Sequence, residues 1–316
     1  MKMKNKRLKN LPWSKRKNVS KIKEIRKFTY SDSFGEEIQE LISCQLFYIN
    51  SVGDLIGEFE YGSNLQLKKR IMFEYDQYKN LIKKITFDPR NLMQNRRIYY
   101  YDSNSSLISE SQFGSNEELR RKTILKYDAN MNIIDKSKYH SDGSLIQELV
   151  FTYDDQKNLI GKECIYPSGL RWNEILKYDQ QNRLIQKSRL GNEKKTTVEY
   201  KYEYDSNSNL IFESSTGTGN GYKTIQKYNV KNQLTEKRKI RDNETLVSKQ
   251  SLIYDDNSNL IEESFYKEEN VLDRRLIYSY NPEGELEKSN EYVVFTTYRI
   301  SGEKLVTSMT IDELKK

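Results

Sequence analysis

The stretch LIQELVFTYDDQKNLI, residues 145–160, decides the fold. Up to Tyr153 it alternates with a period of two, which places Leu145, Gln147, Leu149, Phe151 and Tyr153 on one face and Ile146, Glu148, Val150 and Thr152 on the other. At Asp154 the alternation stops. An aspartate there can accept hydrogen bonds from backbone amides two residues ahead, and Asn158 closes the loop where a left-handed residue is often required. Leu159 and Ile160 then start a new strand. The reading is strand, tight turn, strand, with no room for a helix.

The same signature recurs along the chain. Tyr-Asp or Tyr-Asn stands at Tyr75, Tyr101, Tyr127, Tyr153, Tyr178, Tyr204, Tyr228, Tyr254 and Tyr280, at spacings of 24 to 26 residues. Six positions after each tyrosine comes Leu81, Leu107, Ile133, Leu159, Leu184, Leu210, Leu234, Leu260 or Leu286, and the next residue is Ile in seven of the nine units. A tenth unit opens at Ile49, with Asn50, Gly53, Asp54 and Leu55 in register. Weaker half-copies such as Tyr61…Leu67, Phe113…Leu119, Tyr139…Leu145 and Tyr266…Leu272 divide each unit into two strands. Leu272, Arg274, Leu276, Tyr278 and Tyr280 are expected to share a face. Short turns force antiparallel pairing, so the fold class is all-β: a repetitive meander of about twenty short strands forming an elongated, twisted or coiled sheet. Left open, it would run roughly 95 Å. Open edges need covering. The organisation expected is a basic, mobile arm (1–27), capping strands (28–48), ten repeats (49–290) and C-terminal capping strands (291–316).

Composition fits a thin fold. Of 316 residues, 35% are hydrophobic, 31% charged and 12% aromatic, and mean hydropathy is −0.89. A thick α/β enzyme core needs more apolar residues, and a disordered chain would hold far fewer aromatics. His140 is the one histidine, set in a surface turn, and Cys44 and Cys164 are the two cysteines, read as free thiols. His-centred or Cys-rich metal sites are thereby excluded, and no cofactor is expected. No stretch approaches the ~20 apolar residues of a membrane span, and the N-terminus lacks the apolar core of a secretory signal. Leu41 to Cys44 imitates a lipoprotein cleavage box, but Glu36, Glu37 and Glu40 occupy the place of its apolar region. Charge is concentrated in the arm. Residues 1–27 hold twelve Lys or Arg, Lys2 to Lys27, against Glu24, a surplus of +11; with +7 for the whole chain, the remainder carries −4. Such an arm can attract nucleic acid or an anionic membrane, though a solvated leader is the plainer reading. The body shows no basic stripe with interleaved aromatics of the kind that marks a nucleic-acid platform.

Tyr-Asp-x-x-x-Asn-Leu-Ile at about 26-residue intervals resembles the YD (RHS-type) repeat family, pattern Tyr-Asp-x-x-Gly-x-Leu, and is most similar to its short Bacteroidetes-type variants. The likeness covers about residues 47–290. It implies β-strand repeats, binding or encapsulating roles, and an envelope or secreted setting. The departure is at the glycine: Lys79, Ser105, Met131, Lys157, Asn182, Ser208, Asn232 and Ser258 stand where only Gly53 and Gly284 follow the pattern, so a different turn type is expected.

Function is less legible. The reading adopted is a non-catalytic scaffold that binds a protein or glycan partner through its sheet. Each motif tyrosine is expected to pack on the next unit's leucine. The less regular aromatics Tyr78, Tyr99, Tyr100, Trp172, Tyr200, Tyr202 and Tyr222 are the candidate contacts, since rings with a polar tip suit recognition. Alternatives are an immunity or antitoxin-like partner of a toxin, and calcium binding by the aspartate-lined turns. The turns lack the alternating acids of known calcium loops. A two-carboxylate hydrolase finds no unique acid pair, because Asp154-Asp155 and Asp255-Asp256 recur with the turns. The segment Thr216 to Gly221 breaks the period and is expected to be a longer mobile loop.

Overall fold

The computed structural model describes residues 19–33, 36–191, 196–217, 221–268, 271–296 and 301–314. They form 22 antiparallel strands in one sheet, numbered β1 to β22 in chain order. The turns explain why. At Asp154 the backbone N–H donates to the Asn158 carbonyl (3.0 Å) and the Lys157 N–H to the Asp154 carbonyl (3.0 Å). The Asp154 side chain accepts from the N–H groups of Gln156 (3.0 Å) and Asn158 (2.7 Å), and the Asn158 amide donates to its second oxygen (3.0 Å). This is a type I turn followed by one left-handed residue, a standard hairpin link.

The left-handed residue is present in every motif turn. φ is positive at Gly53 and Gly284 and equally at Lys79, Ser105, Met131, Lys157, Asn182, Ser208, Asn232 and Ser258. The missing glycines therefore do not change the turn type, contrary to the sequence expectation. Two side-chain-supported amides and two backbone bonds hold the geometry, and the non-glycine residues bear a strain of about 1 kcal/mol each.

Each motif turn, and most of the turns between them, also skips a residue in the pairing. Thr152 stands opposite Gly161 and Tyr153 opposite Leu159, so Ile160 is bulged out. This corrects the simple alternation. Leu145 is set opposite Tyr139 and Leu272 opposite Tyr266, with Ile146 and Asp273 bypassed. Both leucines thereby leave the face that carries Tyr153 and Tyr280.

The ends of the sheet do not need separate caps. β1 (Lys21–Ser33) pairs with β2 (Glu36–Ile49) and also with β22 (Ser301–Leu314), in register from Ile22 opposite Leu314 to Thr29 opposite Thr307. The meander is a closed barrel, which removes its edges altogether. Lys21 to Lys27, expected in the mobile arm, belong to β1; residues 1–18 lie outside the described residues. Thr216 and Gly217 continue β15 (Leu210–Gly217), and 218–220 lie outside the described residues. At ~4.8 Å per strand the wall is roughly 106 Å around. The chain exposes 20657 Å². A compact protein of 37.6 kDa exposes about 13,800 Å². Most strand residues on both faces of the wall are only half-buried, as a single layer requires.

The best-buried cluster lies beside the seam: Val19, Ile22, Cys44, Leu46, Tyr48, Phe59 and Tyr61. Glu24 is buried among them, accepting from Arg26 Nε (2.7 Å) and Cys44 Sγ (3.2 Å). Burial, reinforced by the Glu24 charge, pushes the Cys44 thiol up to about 12. Cys44 and Cys164 are both buried and free.

Two measurements test this architecture. Small-angle scattering should give a radius of gyration near ~20–24 Å for the closed wall, where an unrolled sheet would give roughly 30 Å or more. Met131→Gly should raise the unfolding free energy by up to ~1 kcal/mol and Met131→Val should lower it, because Met131 is exposed at φ 67° and only the backbone conformation is at stake.

Candidate functional site

The face bearing the nine motif tyrosines is the better-defined of the two. Each hydroxyl donates to the backbone carbonyl of the leucine or isoleucine that opens the preceding unit, from Tyr75 to Leu55 (2.9 Å) through Tyr153 to Ile133 (2.9 Å) to Tyr280 to Leu260 (2.8 Å). The other six bonds measure 2.8 to 3.0 Å. These tyrosines tie one hairpin to the one before it rather than merely packing on the next leucine. Desolvation first, then a nearby carboxylate, raises the pKa of Tyr75, Tyr127, Tyr153, Tyr178, Tyr228 and Tyr280. Neighbouring turns are joined as well: Asn80 donates to Ser105 Oγ (3.0 Å), Asn158 to Asn182 Oδ1 (3.1 Å) and Asn209 to Asn232 Oδ1 (3.0 Å).

The seven candidate aromatics separate by place. Tyr78 is in a turn and is 71% exposed. Tyr100 is on the opposite face and also exposed. Tyr99, Trp172, Tyr200, Tyr202 and Tyr222 all lie on the tyrosine face, half-buried. Desolvation and the Glu213 charge push Tyr202 up to about 12.

Cations stack on these rings. Trp172 has Lys162 Nζ at 5.1 Å and Arg189 at 4.6 Å from its centroid; Lys187 stands 4.4 Å over Tyr200 and Lys239 3.9 Å over Tyr222. The sequence showed no basic stripe with interleaved aromatics, yet the register assembles one from residues on separate strands. Contacts of this kind contribute about 0.5–1 kcal/mol at exposed sites.

Next to it, on β6 (Met93–Tyr101), β7 (Leu107–Phe113), β8 (Leu119–Tyr127), β9 (Ile133–His140) and β10 (Leu145–Tyr153), the same face forms a polar cleft of about 410 Å³. Its charged residues are Arg97, Arg121, Lys136 and Lys138 against Glu110. None of these was singled out from the sequence, because they lie on different repeats and carry no motif. His140 closes β9 beside Arg121, exposed as expected. Among the described residues no group of three His, Cys, Asp or Glu side chains could hold a metal ion.

No family model matches this sequence, and no curated protein matches it. Similar solved structures do exist. A crystal structure of TcdB2-TccC3 is 12% identical, with a TM-score of 0.33, over 89% of this chain and 19% of that one. The crystal structure of TcdB2-TccC3-Cdc42 is 13% identical, with a TM-score of 0.33, over 92% of this chain and 20% of that one. A porin-like protein from Bacteroides uniformis ATCC 8492 is 11% identical, with a TM-score of 0.35, over 93% and 98%. The chain thus spans about a fifth of the TcdB2-TccC3 structures.

The tyrosine bonds set a pH limit. A phenol whose folded pKa lies above its ordinary value near 10 contributes stability that is intact below pH 10 and is lost as pH rises through the folded value. Unfolding followed by circular dichroism should begin above pH 10, together with tyrosinate absorbance. Tyr153→Phe should cost about 1 kcal/mol at pH 7; Tyr78→Phe should change stability by less than about 0.5 kcal/mol.

Proposed function

We propose that the chain is a non-catalytic repeat scaffold that binds a protein or glycan partner on the tyrosine face of its sheet. The observation that carries this reading is the row of Trp172, Tyr200 and Tyr222, each held in place by a lysine or arginine on a neighbouring strand. Rings fixed in this way lose little freedom on binding and offer both an apolar surface and a polar tip. The nine motif tyrosines are already committed to the wall. The likeness to YD repeats supports the same reading, since it implies binding or enclosing.

A barrel set in lipid is disfavoured by the side chains themselves. Lys122, Glu148 and Glu163 on one face and Arg97, Arg121 and Lys136 on the other sit within the strands, whereas a lipid-facing wall requires an apolar band.

Binding to a panel of soluble polysaccharides and to proteins captured from lysate should fall at least ~10-fold in Trp172→Ala/Tyr200→Ala, consistent with truncation of central aromatic anchors. It should be unchanged in Tyr100→Ala, on the opposite face. The reverse pattern, or no retained partner, rejects the proposal.

A further inference from the structure

We infer that the cleft on the tyrosine face of β6–β10 binds a compact multivalent phosphate: inorganic triphosphate, or the phosphate groups of a small ligand. The inference rests on the reading of the tyrosine face as the binding surface and adds to it a second, separate site. Pairing places Arg121 opposite His140, Thr123 opposite Lys138 and Leu125 opposite Lys136, so the three cations lie on two adjacent strands, one pleat apart. Same-face neighbours at such positions stand about 5–8 Å apart, and like charges there destabilise a sheet.

What distinguishes this trio is the lack of an answering charge. Among the described residues neither Arg121 nor Lys136 nor Lys138 forms an ion pair, and Glu110 is already taken by Arg97 at 3.2 Å. On the opposite face of the same strands Lys126 is answered by Asp135 at 2.7 Å. Elsewhere on the tyrosine face Arg189 is answered by Glu174 at 2.9 Å, and Lys187 and Lys239 lie on rings. Among the described residues this cleft gathers three cations that are neither paired nor stacked.

The remaining lining selects the ligand. Gln112, Thr123 and Gln147 offer neutral hydrogen-bond groups, Leu149 is the apolar member, and no aromatic ring lines the cleft. Recognition by stacking, as of a base or a sugar ring, has no platform here. A single carboxylate would leave most of the surplus charge unanswered, whereas a phosphate brings two or more charges on oxygens spaced for several donors at once. The volume of about 410 Å³ falls within the usual range of small-ligand sites, roughly 300–1,000 Å³.

The test is titration calorimetry of the full chain with inorganic triphosphate, at low salt and near 0.15 M. Saturable one-site binding is expected, weakening with salt. Lys136→Gln/Lys138→Gln should bind at least ~10-fold more weakly, while Lys122→Gln/Lys177→Gln, with the same loss of charge on the opposite face, should stay within about 2-fold. Without ligand the cleft variant should melt no lower than the parent, because among the described residues neither lysine side chain forms an ion pair or a ring contact; this separates lost binding from lost folding. Equal loss in both variants, citrate binding as tightly as triphosphate, or no saturable binding overturns the inference. So does an oligothymidylate whose binding follows the cleft variants when triphosphate is not bound. Binding through Trp172 and Tyr200 is read in different variants, so either result can fail without the other.

Discussion

A phenol hydroxyl donating to a main-chain carbonyl some twenty residues upstream is the constraint on which this wall depends. It is made nine times, and it fixes how far each motif hairpin stands from the one before. Where the period shortens, the bond persists: Tyr178 reaches Leu159 over 19 positions and Tyr228 reaches Leu210 over 18, both within ordinary hydrogen-bond length. In both units the pairing near the opposite rim lacks the bulge that the regular units have there: Ile165 faces Arg171 and Cys164 faces Trp172 without a skipped residue, and Ser215 faces Tyr222 likewise. One rim is therefore invariant, and the other absorbs insertions and deletions. A repeat sheet that coupled its units only by packing would drift in register with every change of length.

The invariant rim explains the tolerance of the turn as well. An aspartate that accepts two backbone amides and an asparagine amide forces the residue between them into the left-handed region, whatever its side chain. Lysine, methionine and serine accept that geometry because their side chains leave the sheet into water. Asp128, Asp154, Asp205 and Asp255 are held below the usual carboxylate range chiefly by the asparagine amide. The rim is accordingly a girdle of ionised side chains bonded inward, with little charge free to act on anything else.

Legibility followed the chemistry. Strand number, turn positions and antiparallel order could be read from Tyr153, Asp154 and Asn158 because each does one local task that recurs unchanged. Leu145 and Leu272 were assigned to the wrong face because a bulge has no residue signature of its own. Closure was invisible: Ile22 and Leu314 belong to no repeat, and nothing in either segment names the other. The cleft was hidden for a related reason. Arg97, Arg121, Lys136 and Lys138 each look like an ordinary surface charge on an alternating strand, and only the register of four neighbouring strands brings them to one place.

Closure through the first and last strands has a temporal side. The outer edge of β1 has its partner in β22, at the other end of the meander, and is made long before the strand that covers it. Until then the growing sheet presents two unfinished edges, and loop closure across the whole meander must wait for β22. A chain cut short anywhere before Ser301 keeps those edges permanently. The fold thus distinguishes closed from unclosed molecules: chains that include β22 become edgeless, while products truncated before it stay adhesive and open to chaperones and proteases.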